Sequence, residues 1–228
     1  MIGFLIKKTF FDTWDNLFKV ALVNLGFIIF LTVPVFAPSL LESFPPLAVG
    51  VLLIGILWCF VYLAAAAQSL KSISDYGSFG FADFKNNIKT AWPMGLIMGG
   101  IVFLIWLLIS LAIPFYLHMQ SLLGLLLAAV IFWTLVVTGL SFQFLFAVRA
   151  RLDTKINKVI KKCFIFFFDN PGFCIFSFIT CTVLLVLSVF LAFLFPGPAG
   201  ILLYLDEAMR LRIFKYDWLE ANPGENRR

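Results

Sequence analysis

The sequence predicts an all-α, polytopic membrane helix bundle of about six transmembrane helices, arranged as three hairpins with interfacial amphipathic helices. Three observations predict it. The chain is 62% hydrophobic and 13% charged, with a mean hydropathy of +1.04, whereas a soluble domain carries about 25% charged residues. The apolar residues come in continuous runs of the length that crosses a hydrocarbon core of about 30 Å as a helix. Barrel strands would instead alternate polar and apolar over about ten residues. The basic residues gather between these runs, at alternate ends.

Residues 5–19 open the chain as a surface helix, with Phe10, Phe11, Trp14, Leu17 and Phe18 set against Lys7, Lys8, Asp12 and Asp15. Aromatics opposite charges suit a helix lying in the plane of the interface. Residues 1–6 are apolar but short, and Lys7 and Lys8 follow rather than precede them. A secretory leader has the reverse order, so the chain is expected to keep its N-terminus. Asn24-Leu25-Gly26 then marks a turn into the bilayer. The first two spans are residues 20–37 and 47–67, joined by a Pro-containing outer turn over 38–46. Residues 72–80 link them to a second surface stretch, 81–92, where Phe81, Phe84, Ile88 and Trp92 recur at helical spacing against Asp83, Lys85 and Lys89. Trp92-Pro93-Met94-Gly95 is its break signal, because Pro removes a helix N–H donor.

The third and fourth spans are residues 94–117 and 122–148. A third surface stretch, 156–168, sets Ile156, Val159, Ile160 and Phe164 against Lys155, Lys158, Lys161 and Lys162, and ends at Asn170-Pro171-Gly172. The fifth span is 173–195, and a sixth segment, 198–216, starts apolar and becomes charged halfway. Residues 1–220 thus read as one transmembrane helical domain and 221–228 as a polar C-terminal tail, with no room for a soluble catalytic domain.

The outer turns 38–46, 115–121 and 196–200 carry no Lys or Arg, only Glu42 and His118. By the positive-inside rule the basic ends, from Lys7 to Arg227 and Arg228, are cytoplasmic. Both termini are then expected inside, with an even number of crossings, most simply six. The same distribution explains the net charge of +5 without nucleic acid. The expected partners are the lipid bilayer, anionic lipids at the cytoplasmic face, and other membrane protein subunits.

Asp206, Glu207, Arg210 and Arg212 are the candidate intramembrane charged site. In a helix starting at Pro198, Asp206 sits about 12 Å along, where an ionisable group must be paired or face water. Spacings of three and four let both acids reach Arg210 on one face. The group reads either as a polar cavity between helices or as a self-paired cluster at the surface end of an incomplete span. Gly95 and Gly99, with Gly100 beside them, are the candidate helix-packing residues, for internal packing or for homodimerisation. Ala64, Ala65, Ala66 and Ala67 form a second run of small residues. Asn24, Gln68, Thr134, Thr138, Ser141, Gln143, Ser177, Thr180 and Thr182 are expected to hydrogen-bond between helices, or else to line a permeation path.

Catalytic, cofactor and metal residues are not expected. Cys59, Cys163, Cys174 and Cys181 have no C-x-x-C spacing, and His118 stands alone. Walker A, H-E-x-x-H and G-x-S-x-G motifs are absent. Three classes follow: a transport-related permease or accessory subunit, a structural or assembly subunit of a larger complex, and, last, an intramembrane enzyme using Asp206 or Glu207.

Two stretches resemble the YesL-like family of bacterial integral membrane proteins. One runs from Asn24-Leu25-Gly26-Phe27 to Val33-Pro34-Val35-Phe36-Ala37-Pro38, like that family's Asn-to-Pro-Val stretch. Here Phe36-Ala37 replaces the family's usual Thr and Gly before the second Pro. The other, Phe81-Ala82-Asp83-Phe84-Lys85-Asn86-Asn87, is similar to its Asp-Phe-centred surface helix. The resemblance implies a multi-pass protein of the bacterial cytoplasmic membrane, with a non-enzymatic, transport-related role linked to carbohydrate uptake.

Overall fold

In the computed structural model, residues 2–41 and 43–222 are described; Glu42 of the first outer turn and tail residues 223–228, with Arg227 and Arg228, lie outside them. Ten α-helices account for most of this chain, and no strand occurs among the described residues. They are α1 (Ile2–Asp15), α2 (Leu17–Leu40), α3 (Pro45–Ser74), α4 (Phe81–Leu107), α5 (Ile113–His118), α6 (Leu122–Phe142), α7 (Leu145–Arg151), α8 (Ile156–Asp169), α9 (Pro171–Phe190) and α10 (Gly197–Ala221). A π-helical turn, Leu108–Ala112, joins α4 to α5.

Five segments are long and apolar enough to cross a membrane: Leu17–Leu40, Pro45–Ser74, Phe81–His118, Leu122–Arg151 and Pro171–Phe190. The all-α membrane bundle is therefore present. The sixth expected span is a helix, α10, but it carries seven charged residues from Asp206 to Glu220 and falls outside that set.

The α2–α3–α4 layer is the best packed. Tyr62 of α3 donates to the Val23 carbonyl of α2 at 2.8 Å, and Gly55 of α3 receives the ring of Pro34. A Cβ on Gly95 would stand 2.7 Å from the Val61 nitrogen and 2.8 Å from the Phe60 oxygen; one on Gly99 would meet Leu57 Cδ2 at 2.7 Å. The glycine pair thus brings α4 against α3 backbone to backbone, and internal packing is its role. Ala64, Ala65, Ala66 and Ala67 are all buried on α3.

Two of the three break signals fail. Asn24-Leu25-Gly26 lies inside α2 and Trp92-Pro93-Met94-Gly95 inside α4. Residues 81–92 are therefore the first turns of a long helix, capped by the Gly80 N–H bound to Asp83 Oδ2 at 2.8 Å. Proline deletes one donor and crowds one preceding carbonyl, and the rest of the ladder carries α4 past Pro93. The first surface stretch meets α2 after the single residue Asn16, across which the Asn16 and Val20 amides keep their i−4 bonds. Asn170-Pro171-Gly172 does break the chain, between α8 and α9. The α8 helix is amphipathic as expected: Val159, Cys163, Phe166 and Phe167 are buried while Lys155, Lys158 and Lys161 are exposed.

Candidate functional site: a charge cluster at the basic end

The ends read as basic converge in space, where α1, the C-terminus of α3, the C-terminus of α7 and the middle of α10 meet. Asp206 and Glu207, each 2% exposed, are neighbours in α10. Neither pairs with Arg210, which corrects the expectation from i,i+3 and i,i+4 spacing. The four side chains reach different helices instead.

Asp206 takes a two-pronged contact from Arg151 of α7: Nε donates to Oδ1 at 2.8 Å and Nη2 to Oδ2. Such fork-to-carboxylate geometry is the strongest form of charge-assisted hydrogen bond. Arg151 also donates to Ser74 Oγ at 2.8 Å and to Asp75 Oδ1 at 3.1 Å, so it ties α3, α7 and α10 together. Glu207 turns toward α1, accepting from Thr9 Oγ1 at 2.5 Å and from Lys8 Nζ at 3.1 Å. Lys8 also pairs with Asp12. Arg210 donates to the Ser74 carbonyl and lies 3.6 Å from Asp75. A cation there complements the negative end of the α3 dipole.

Tyr76 completes the arrangement. It follows α3 with φ +60°, an uncommon conformation for a residue with a Cβ. The turn is closed by the Tyr76 and Gly77 amides, which bond back to Ile73 and Ser72. This puts the Tyr76 ring under both Lys8 (5.1 Å) and Arg210 (5.3 Å). Arg212 belongs to a different place: it is buried with its guanidinium 4.0 Å over the Phe173 ring. Its position in sequence groups it with Asp206, Glu207 and Arg210, and the structure separates it from them.

The cluster holds three cations, Lys8, Arg151 and Arg210, and four carboxylates, Asp12, Asp75, Asp206 and Glu207. Each faces an opposite charge, so the assembly is built as a clamp between helices. Nothing in the sequence alone singles out Lys8, Thr9, Ser74, Asp75, Tyr76 or Arg151 as members of this cluster. Arg151 and Lys8 were visible only as basic residues, since nothing local pairs position 151 with 206. Beside the clamp a polar cleft of about 530 Å³ opens between the ends of α3 and α4, lined by residues including Lys71, Asp75, Asp83 and Asn87. Among the described residues no three His, Cys, Asp or Glu side chains converge as metal ligands would.

Most of the polar residues singled out in the spans bond within their own helices. Thr134, Thr138, Ser141, Thr180 and Thr182 donate to carbonyls four residues back in their own helices. Asn24 and Gln143 do bond across: Gln143 Nε2 donates to the Cys174 carbonyl at 2.9 Å, and Asn24 holds the α9–α10 turn. No family model, curated protein or solved structure matches this chain.

Proposed function

We propose that this protein is a non-enzymatic accessory subunit of a larger membrane assembly concerned with transport, rather than the permease itself. One observation carries the reading. Beyond the Gly95–Gly99 contact with α3, the α4–α5 arm and α6 are the barest spans: 6% and 11% of their most apolar stretches are buried, against 33% for α3. The two arms adjoin at their α5 ends and diverge below. Gly100 on α4 and Gly139 on α6 have nothing within 4 Å of a would-be Cβ. Small residues on bare membrane helices let another helix approach closely. The paired clamp supports the same reading, because its charges hold this chain together and leave no member free for a substrate.

The link to carbohydrate uptake rests on the resemblance to the YesL-like family. A placement in the bacterial cytoplasmic membrane, with the basic face inside, rests on that resemblance and on the charge bias. The test is a mild-detergent pull-down of the tagged protein with native sizing and mass spectrometry. A stoichiometric membrane partner, lost in Gly100→Leu or Gly139→Leu while the subunit stays folded, is the expected result. A protein that purifies alone and carries a solute into proteoliposomes would overturn the proposal.

A further inference from the structure

The α9–α10 unit is an antiparallel hairpin in good register. Asn170 pairs with Tyr216 at its base, Phe173 lies against Arg212, and the Gly197 N–H donates to Ser188 Oγ at 2.9 Å near its tip. We propose that this hairpin does not cross the bilayer. It is seated in the leaflet of the basic face, with the bare apolar side of α9 against the acyl chains of that leaflet alone. The chain then crosses four times, through α2, α3, α4–α5 and α6–α7, and the described chain ends lie on one face.

Two independent observations lead there. The first is depth. The tip is pinned to Asn24 of α2: Nδ2 donates to the Leu194 and Pro196 carbonyls at 3.0 and 2.9 Å, and Oδ1 accepts from the Ala199 N–H at 2.8 Å. Asn24 is sixteen residues, about 24 Å, from the far end of α2 at Leu40. The base is pinned to Gln143 through the Cys174 carbonyl, about 31 Å from the far end of α6 at Leu122. Tip and base therefore both stop well short of the far ends of those helices. The tip sits at Asn24, level with Tyr62 of α3 through the neighbouring Val23, and Arg210 sits at Ser74, twelve residues or about 18 Å further along α3. A crossing helix needs about 30 Å.

The second is the chemistry of the turn. Irregular backbone at membrane depth is tolerated only where protein satisfies its polar groups. This turn is satisfied by side chains and its own ladder: Asn24 takes three of its backbone groups, Ser188 Oγ a fourth, and the Phe193 N–H bonds the Ser188 carbonyl at 2.6 Å. Asn24 and Ser188 are both fully buried. Gly197, at φ +62°, leaves no room for a Cβ against the Asn24 amide. A turn at an aqueous surface would need none of this, because water would serve.

The inference is independent of the accessory-subunit reading. Its test is labelling with a membrane-impermeant maleimide in right-side-out and inverted vesicles. The native Cys59, Cys163 and Cys174 are buried and Cys181 is half-buried, so the parent protein sets the baseline. Ser121→Cys marks the far face and Asp217→Cys the basic face. Leu194→Cys and, as a second tip variant, Leu191→Cys report the hairpin. Ser121→Cys and Asp217→Cys are expected to label in opposite vesicles, and the tip variants from neither face or from the Asp217 face only. Labelling of either tip variant from the Ser121 face, or of both markers from the same face, would overturn the proposal.

Discussion

Replacing Arg151 by Met strands Asp206. The carboxylate is 2% exposed and takes both of its hydrogen bonds from that one guanidinium. Removing one member of a buried pair destabilises by about 3–5 kcal/mol, because the survivor stays buried without its partner. Arg151→Met should lose that amount. Asp206→Asn should be milder. The amide keeps one acceptor oxygen for Arg151, which also retains Ser74 Oγ and Asp75. The loss is then about 1.5–3 kcal/mol, the worth of one hydrogen bond to a charged group. Combining Arg151→Met with Asp206→Leu removes both charges and should recover most of the loss. The assay is equilibrium unfolding in mixed micelles, followed by tryptophan fluorescence, with native sizing to confirm the folded start. Independent sites add, so a double variant whose loss equals the sum of the Arg151→Met and Asp206→Leu single variants would refute the clamp. Equal stability of all these variants and the parent would refute it too.

Gly95→Ala should weaken the α3–α4 contact by several kcal/mol, since the new methyl meets backbone atoms of Val61 and Phe60 and overpacking alone costs about 1–3 kcal/mol. Gly100→Ala, whose new methyl would have nothing within 4 Å, should be neutral or stabilising by up to about 1 kcal/mol through helix propensity; the pair is read by the same unfolding assay. Asn24→Leu should free the α9–α10 turn, seen as faster proteolysis within residues 191–196, while Thr134→Val, whose hydroxyl bonds only its own helix, should leave proteolysis unchanged. Lys8 gives a pH prediction. Burial pushes its pKa down, but the Asp12 hydrogen bond and the Glu207 charge outweigh it and hold it above the ordinary lysine value. A raised pKa stabilises fully below the unfolded value and is lost as pH rises through the folded one. Titration of Lys8 itself should therefore cost stability only in strong alkali, above about the range where lysine stays charged. Burial pushes the Glu207 carboxyl up to about 8, so the measurement is made in a Glu207→Gln background. There a Lys8-dependent loss between about pH 6 and about pH 9 would contradict the Lys8–Asp12 pairing.

The spans were legible because hydropathy is additive along the chain: five runs chosen by composition are helices of spanning length. The convergence of the basic ends was legible too, since alternate ends of a hairpin series must share a face. Contacts between distant positions were not. The spacing of Asp206, Glu207 and Arg210 favours pairing within one helix, yet α10 is surrounded on three sides, and each side chain finds a partner 55 to 199 residues away in sequence. Break signals misled for a related reason. Asn24 looks like a helix breaker locally, but its amide is spent on the α9–α10 turn, so the backbone around it stays helical. Pro93 is a breaker by propensity, and the packing of Gly95 and Gly99 on α3 holds the helix through it.

The charged half of α10 also changes meaning once its partners are known. As a sixth span it is defective, with seven charges in 25 residues. As a latch it is consistent at every position that the structure pairs. The first turns after Gly197 are small and apolar and pack under α2 and α3, with Ala199, Leu203 and Ala208 fully buried. Asp206 then fastens α7, Glu207 fastens α1, and Arg210 caps the end of α3. These contacts bind α1, α3 and α7, and none reaches the bare outer part of the α4–α5 arm or α6. A chain that uses its charges to lock one region, while leaving the outer α4–α5 arm and α6 apolar, bare and open at Gly100 and Gly139, has its rigid part and its free part in separate regions. That division is what an accessory subunit needs: a fixed body to hold the arms, and arms whose packing is completed by another membrane protein.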